Sequence, residues 1–365
     1  MKTSKIAFAT ASALLLTTAF SSAQTTIGGN MRVGYKASSS DLGAGLGSNR
    51  GFTKETQINV ANKGKLNIGG LDYAAGFSIE LDGGDLNTTT STTASFGGTH
   101  YENTFIDIIN PATKTTLSFG SDHVKPSDVQ LSDIIGGPIR VDHVVSELGV
   151  AASGAAVKSK YTDKMNAKGG TEGFAIGLIQ EIGTFGAVRA TYQPDTSGTG
   201  SAVGDVGGDQ NSLLTATTNA NIDYAFRGSL GVQGLDIHLS RTVQDGTGSA
   251  RDVKFHAEGI KYTMGAITGA YHQVTGDYGT GATDTAKSKE YGLAYTVNKD
   301  LSVGLVMINT KDNTASAVEE KIKGINIGYS LGPVLLQTVA GKIDGAGNVA
   351  NQDGKAIHLT LGATF

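Results

Sequence analysis

Residues 354–365 read GKAIHLTLGATF and end the chain on an aromatic residue. Apolar Ile357, Leu359, Leu361 and Ala363 alternate with polar or small residues, the period of two typical of a β-strand with one face in an apolar medium. The length is close to the roughly 9–11 residues that a tilted strand needs to cross a bilayer. An exposed alternating strand promotes aggregation of a soluble sheet, whereas in a closed barrel the last strand pairs with the first. The terminal stretch therefore predicts a transmembrane β-barrel.

The first 23 residues have the three parts of a secretory signal peptide. Lys2 and Lys5 supply the positive charge, residues 6–20 are apolar, and Ser-Ser-Ala at 21–23 offers a small-residue cleavage site. The apolar part is too short for a membrane-spanning helix, which needs about 20 residues. We therefore predict an exported chain whose mature part, residues 24–365, forms one barrel.

The composition fits a barrel with a water-facing interior. Hydrophobic residues make up 39% of the chain, which is low for a soluble domain of this length but normal when half of each strand faces water. Cysteine is absent, which excludes a disulfide framework and thiol chemistry in an exported chain. The chain has 52 glycines and 5 prolines without a triplet period, so glycine here suits tight turns rather than collagen. The net charge of −4 does not favour nucleic-acid binding.

Connections between the candidate strands alternate in length along the chain. Short turns fall at residues 69–72, 110–114, 183–184, 231–234, 264–265, 297–300 and 330–332, and longer polar connections separate them. Short turns at one end and long loops at the other are typical of a transmembrane barrel. Seventeen segments have strand character, of which 155–162 is the weakest, and an up-and-down barrel with both chain ends on one side needs an even number. We assign 155–162 to a loop and predict an all-β fold of sixteen antiparallel strands, with eighteen as the alternative.

The longest connection, residues 121–171, follows the fifth strand and includes Asp128, Asp133, Arg140 and Asp142. About fifty residues is far more than an ordinary loop, and loops of that size are usually functional. A barrel of sixteen strands encloses a wide aqueous channel, which a loop folded inward would narrow. The other possibility is that the segment caps the outside. We predict inward folding, which makes 121–171 a candidate constriction loop.

These features together resemble the general, non-specific porins of Gram-negative outer membranes. Residues 31–35 (MRVGY) and 116–121 (TLSFGS) are similar to the family's opening strand and to its approach to the long loop, and 171–174 (TEGF) look like its entry into the next strand. The likeness covers the mature chain and depends on the arrangement of strands and loops. The acidic Pro-Glu-Phe-Gly-Gly type of motif that many relatives carry in the constriction loop is missing. Residues 133–137 (DIIGG) are the nearest match, so the position of the constricting carboxylate stays open.

The resemblance implies a homotrimer among outer-membrane lipids, with one water-filled pore per subunit for small hydrophilic solutes and ions. It also implies a constriction where basic wall residues face carboxylates of the inward loop. The strand alternation independently places on the lumen face Arg32, Lys63, Lys65, Arg189, Arg227 and Lys254. The opposing loop carboxylates would be Asp128, Asp133 and Asp142, while Arg140 lies at the constriction or pairs with Asp142. Such walls of charge select ions, although a lumenal arginine also has the simpler role of neutralising a neighbouring carboxylate.

The sequence predicts no catalytic residue, cofactor or metal site. Its seven histidines have no metalloprotease spacing, and none marks a catalytic triad. The alternation places His238, His256 and His358 in the lumen, where we expect solvated side chains.

Two alternatives to a general diffusion pore stay open. One is a substrate-selective channel for sugars, phosphate or a dicarboxylate, although most Tyr and Phe residues fall on the outward phase instead of lining the lumen. The other is a secreted β-rich surface protein, which the outward apolar faces disfavour.

Overall fold

The structure is a computed structural model that describes residues 23–40, 49–81, 100–121, 174–193, 220–245, 252–277, 285–313 and 318–365. These residues form β1 (Gln24–Ser40), β2 (Asn49–Lys65), β3 (Asp72–Glu80), β4 (His100–Asn110), β5 (Thr115–Ser121), β6 (Phe174–Glu181), β7 (Ala187–Gln193), β8 (Asn221–Gly228), β9 (Leu235–Gln244), β10 (Val253–Met264), β11 (Ile267–Asp277), β12 (Thr285–Thr296), β13 (Leu301–Asp312), β14 (Glu320–Leu331), β15 (Val334–Asp344) and β16 (Gly354–Thr364). Each strand pairs antiparallel with its neighbours in the chain, and β1 pairs with β16. The prediction of a sixteen-stranded antiparallel barrel is confirmed. In the described ranges, no helix is long and apolar enough to cross a membrane.

The barrel closes where the terminal stretch meets the first strand. Val33 lies opposite Leu361 and Tyr35 opposite Leu359, so the apolar positions of the two strands share the outer face. Beyond the last strand, Phe365 exchanges two backbone hydrogen bonds with Gly29, of 2.9 and 3.0 Å. Closure pairs the backbone groups of the last strand with those of the first, which is the condition for a sheet to cross lipid.

An apolar outer band surrounds the barrel towards its short-turn end. On β16 the exposed Ile357, Leu359 and Leu361 alternate with lumen-facing small or polar residues. Aromatic side chains accompany the band, and the rings of Tyr271 and Tyr291 on neighbouring strands lie 5.3 Å apart. An apolar band with flanking aromatics is the outer surface that transmembrane barrels present to lipid.

Towards the long-loop end, the outward side chains of β10 to β16 become polar. In β10, Lys254 lies opposite Val243 and His256 opposite Arg241, on the same outward phase as Ile260 and Tyr262 nearer the short turn. The predictions that Lys254 and His256 face the lumen are wrong. The reason is that this strand leaves the apolar band part-way along its length, so its outward side chains become polar while its phase stays constant.

Apolar side chains occupy the inner face at the same level. Ile308 lies opposite Ile322, and Ile322 lies opposite Ile343 on the next strand. These residues form a buried cluster with Phe255 and Val339, and Ile322, Val339 and Ile343 are 0% exposed. One side of the long-loop half of the lumen wall therefore holds an apolar cluster beside buried polar residues such as Ser288 and Thr310, which the strand alternation did not predict.

Candidate pore lining and constriction

The first charged group of the lining lies at the β1–β2 seam. Nη1 of Arg32 donates a hydrogen bond of 2.9 Å to Oε2 of Glu55, the residue directly opposite on β2. The ladder continues on both sides, with Asn30 donating to Gln57 at 2.9 Å and Thr53 bonded to His358 at 2.8 Å. These alternate positions share the inner face, so Arg32 lies on the lumen wall with a carboxylate already beside it.

A second charged group spans β8 to β10. Arg227 donates two hydrogen bonds to the carboxylate of Asp236, from Nη2 at 2.9 Å and from Nε at 3.3 Å. The ammonium of Lys261 lies 3.3 Å from the same carboxylate, because Lys261 is directly opposite Asp236 on β10. The carboxylate of Asp236 thus pairs with two cations, Arg227 and Lys261, which leaves an excess of positive charge on this part of the wall.

Arg189 lies beside this second group on β7. Its position opposite Ala225 sets it diagonally across from Arg227, which is opposite Ala187. Diagonal neighbours on one face of a sheet are about 7–8 Å apart, within reach of long side chains. In the described part of the chain, the buried Nε of Arg189 has no hydrogen-bond partner. Arg189 and Arg227 therefore form one basic patch.

The remaining predicted wall residues lie elsewhere. Lys63 and Lys65 are exposed near the end of β2, where Lys63 faces Gln24 and Lys65 faces Asp72. Neither makes an ion pair within the described ranges. The loop residues Asp128, Asp133, Arg140 and Asp142 lie outside the described residues.

The structure divides the predicted basic wall into two parts. Arg32, Lys63 and Lys65 belong to β1 and β2, whereas Arg189 and Arg227 belong to β7 and β8, five strands further round the barrel. Sequence reasoning missed Glu55, Asp236 and Lys261, three lumenal charges that complete the two groups. The first two follow from the alternation of their strands. Lys261 was missed because the polar residues Lys254 and His256 of β10 suggest the opposite alternation, which would place Lys261 on the outer face.

His238 is less solvated than predicted, and a second buried histidine lies beside it. His238 is 4% exposed and His272 is 3% exposed, with their rings 6.3 Å apart. Nδ1 of His272 lies 3.2 Å from Oε1 of the buried Glu290. No group of three His, Asp or Glu side chains within the described ranges is arranged to hold a metal ion.

Substituting Arg32→Gln should change stability little and selectivity measurably. The Arg32 and Glu55 side chains are 22% and 33% exposed, so we expect a loss of less than about 1 kcal/mol in the free energy of unfolding. Removing one lumenal cation should move the reversal potential in a KCl gradient towards cation preference. Lys299→Gln, in an exposed short turn, is the control and should leave the reversal potential unchanged. An unchanged reversal potential in Arg32→Gln would place Arg32 outside the ion path.

A sequence profile of the family described as Gram-negative porin matches residues 9–348. The chain belongs to this family. The barrel resembles a solved mutant of the Rhodopseudomonas blastica porin, with a TM-score of 0.58 and 15% identity over 94% of this chain and 100% of the other. It also resembles the solved structure of an anion-selective porin from Comamonas acidovorans, with a TM-score of 0.66 and 14% identity over 94% and 100%. No curated protein matches this porin significantly.

Family and fold together make this porin an outer-membrane diffusion pore and not an enzyme. The lining agrees with that role. A barrel of sixteen strands encloses a channel that is too wide for its own side chains to fill, and polar and charged side chains line that channel.

Proposed function

We propose that this porin passes small hydrophilic solutes and ions with weak charge selectivity. The observation that carries the proposal is the mixed charge of the wall, in which Arg32 is bonded to Glu55 and Asp236 lies between Arg227 and Lys261. Opposite charges at short range cancel much of each other's field. This cancellation leaves only the excess positive charge around Asp236, so the charge preference of the lumen is weak, which suits a general pore.

The narrowest part of the pore, in this proposal, lies between the basic wall and the segment 121–171 folded inward. Arg32, Lys63, Lys65, Arg189 and Arg227 supply the wall. Asp128, Asp133, Arg140 and Asp142 supply the loop side, with the position of the main carboxylate left to experiment. Inward-folded chain agrees with the apolar inner cluster, because Ile322, Val339 and Ile343 are fully buried on a face that would otherwise contact water. Ala346, in the short 3-10 helix Ala346–Asn348 between β15 and β16, belongs to the cluster, and the segment 121–171 would complete its cover.

Ile322→Ala tests whether inward-folded chain packs against the inner cluster. A fully buried isoleucine in a packed core costs about 2–5 kcal/mol when truncated, because a cavity remains. We expect a loss of about 3 kcal/mol in the free energy of unfolding in lipid vesicles, together with a higher single-channel conductance as the loop loosens. The matched control is Ile325→Ala on the outward face of the same strand, which should cost about 1 kcal/mol because lipid fills the space. Equal losses in the two variants would argue against an inward loop.

The proposal also covers export and assembly. Cleavage after residue 23 is supported by the start of β1 at Gln24, directly after the small-residue site at 21–23. Assembly as a homotrimer among outer-membrane lipids agrees with membership of a porin family. Mass spectrometry of the purified chain and of the detergent-solubilised complex tests both statements.

The deciding experiment is a planar-bilayer recording of the mature protein. Stepwise conductance in groups of three with a small reversal potential across a KCl gradient is expected of a trimeric general pore. Block of the current by low concentrations of a sugar, phosphate or a dicarboxylate would replace this proposal with a substrate-selective channel. The similar porin from Comamonas acidovorans is described as anion-selective, and a large anion-preferring reversal potential here would extend that property to this chain.

A further inference from the structure

Two histidines lie on either side of a single glycine on the inner wall of the barrel. His238 on β9 and His272 on β11 are both directly opposite Gly259 on β10, so the three residues occupy one row of the inner face. Because Gly259 has no side chain to separate the imidazoles, their ring centres approach to 6.3 Å. We call His238 and His272 the histidine pair.

Glu290 fixes the orientation of one ring of the pair. It lies opposite His272 on β12, and its Oε1 is 3.2 Å from Nδ1 of His272. On the other edge of the same ring, Cδ2 would be 3.0 Å from a Cβ placed on Gly259. The Nδ1 edge therefore points to Glu290, and the edge next to Nε2 points towards His238. A carboxylate that accepts the Nδ1 hydrogen bond leaves the Nε2 lone pair available, which is the arrangement of a metal-binding histidine.

The other three ring nitrogens of the pair have no hydrogen-bond partner. In the part of the chain that the structure describes, this holds for Nε2 of His272 and for both nitrogens of His238. Both side chains are more than nine-tenths buried. A buried nitrogen without a partner is destabilising, and in native proteins it commonly indicates a bound water or ion. Three such nitrogens beside one another therefore indicate a ligand between the rings.

The separation of the rings suits one shared ion. A zinc ion binds an imidazole nitrogen at about 2.0–2.1 Å, which places the centre of the ring roughly 3.2 Å from the ion. The centres of two rings on one ion are therefore at most about 6.4 Å apart, a limit that the observed 6.3 Å meets. Imidazole nitrogen suits copper, zinc and nickel ions, whereas magnesium and calcium ions prefer oxygen ligands.

The charges around the histidine pair are compatible with a cation. Glu290 supplies a negative charge on one side of the pair. Arg227, directly opposite His238 on β8, directs its guanidinium to Asp236, to which it donates two hydrogen bonds. Lys261 pairs with the same carboxylate. Both of these cations are thus already engaged, and neither occupies the space between the two imidazoles.

We propose that the histidine pair binds a divalent transition-metal ion, such as Cu²⁺ or Zn²⁺, on the lumen wall. Its protein ligands are Nε2 of His272 and one ring nitrogen of His238. No third His, Asp or Glu within the described ranges is placed to complete the set, so water fills the other positions and the ion exchanges. A bound dication adds positive charge beside Arg227 and should reduce the passage of cations. That last consequence rests on the pore proposed above, whereas the binding itself does not.

The test titrates the folded full-length mature protein in detergent, first freed of metal with a chelator, with Cu²⁺ and follows it by electron paramagnetic resonance. We expect the tightest site to show hyperfine splitting from two imidazole nitrogens and to be unaffected by Mg²⁺. Binding should weaken by more than about tenfold in H238Q or H272Q and by about tenfold in E290Q, because the carboxylate orients the ring. The matched control H256Q removes an outward-facing histidine from β10 and should bind Cu²⁺ like the unmodified protein.

Three outcomes would overturn the inference. These are coordination of Cu²⁺ by oxygen alone, equal Cu²⁺ binding by H238Q and H272Q, and displacement of Cu²⁺ by Mg²⁺. If the two histidine variants do not fold, E290Q decides, because it keeps both imidazoles and nearly the same volume, and an unchanged affinity in E290Q overturns the site. Single-channel conductance on the same samples separates the two proposals. A conducting protein that binds no Cu²⁺ overturns only the metal site, and Cu²⁺ binding without conductance overturns only the pore.

Discussion

Substituting Arg227→Gln and, separately, Asp236→Asn will move the reversal potential of the pore in opposite directions. The two side chains form one bidentate pair on the lumen wall, so each substitution removes one sign of charge from the same place. We expect each to change the cation-to-anion permeability ratio by about twofold, which separates the two variants by about fourfold. The measurement is the zero-current potential across a KCl gradient.

Asp236→Asn carries a second expectation that Arg227→Gln does not. Without the carboxylate, Arg227 and Lys261 face each other as like charges, so the free energy of unfolding should fall by about 1 kcal/mol. In Arg227→Gln the Lys261–Asp236 pair stays intact. Lys114→Gln, in the exposed short turn between β4 and β5, is the control and should shift neither quantity. Shifts of the same sign in both variants would show that this group lies outside the ion path.

Gly29→Val should have the largest effect on stability, because the valine side chain would clash with β2 and with Phe365 where the two ends of the barrel meet. A Cβ at Gly29 would lie 2.4 Å from the backbone oxygen of Gln57 and 2.7 Å from the ring of Phe365. The backbone oxygen belongs to the β1–β2 ladder and cannot move without breaking it. We expect a loss of at least about 3 kcal/mol in the free energy of unfolding, at the upper end of the usual cost of overpacking. Urea unfolding in lipid vesicles measures it.

Gly269→Val is the control for Gly29→Val, because it makes the same substitution at a position where the added side chain meets no other atom. A Cβ at Gly269 has no heavy atom within 4 Å, and the residue lies on the outer face of β11. Valine suits a strand surface, so this variant should be as stable as the unmodified protein or slightly more stable. If both variants unfold at the same urea concentration, close packing at the seam is not what holds the ends of the barrel together.

The barrel itself could be predicted from local patterns. The alternation in residues 354–365 gives one strand its inner and outer face, and the parity of short and long connections gives the number of strands and their antiparallel order. Both signals are local, because a strand's two faces and a turn's length are properties of consecutive residues. The sequence also indicated the lumenal position of Arg32, Arg189 and Arg227 for the same reason.

The partners of those residues could not be predicted locally. That Arg227 shares Asp236 with Lys261 depends on the register of three strands, and a shift of one residue would move any of them to the outer face. The alternation in β10 assigns Lys254 and His256 to the lumen because they are polar. They face outward, and their polarity reflects their position beyond the apolar outer band. The buried set around Ile322 was missed because an apolar residue at a lumenal position contradicts the simple rule of polar inside and apolar outside.

The sequence alone thus determined that the chain is a closed antiparallel barrel with a charged lumen, since these properties follow from a period of two and from loop lengths. Only the tertiary structure decided which charges meet, where the apolar band stops, and that an apolar cluster is buried on the inner face around Ile322. Those features depend on register and on height relative to the membrane. Both are set by the pairing of strands around the whole barrel and not by any one of them.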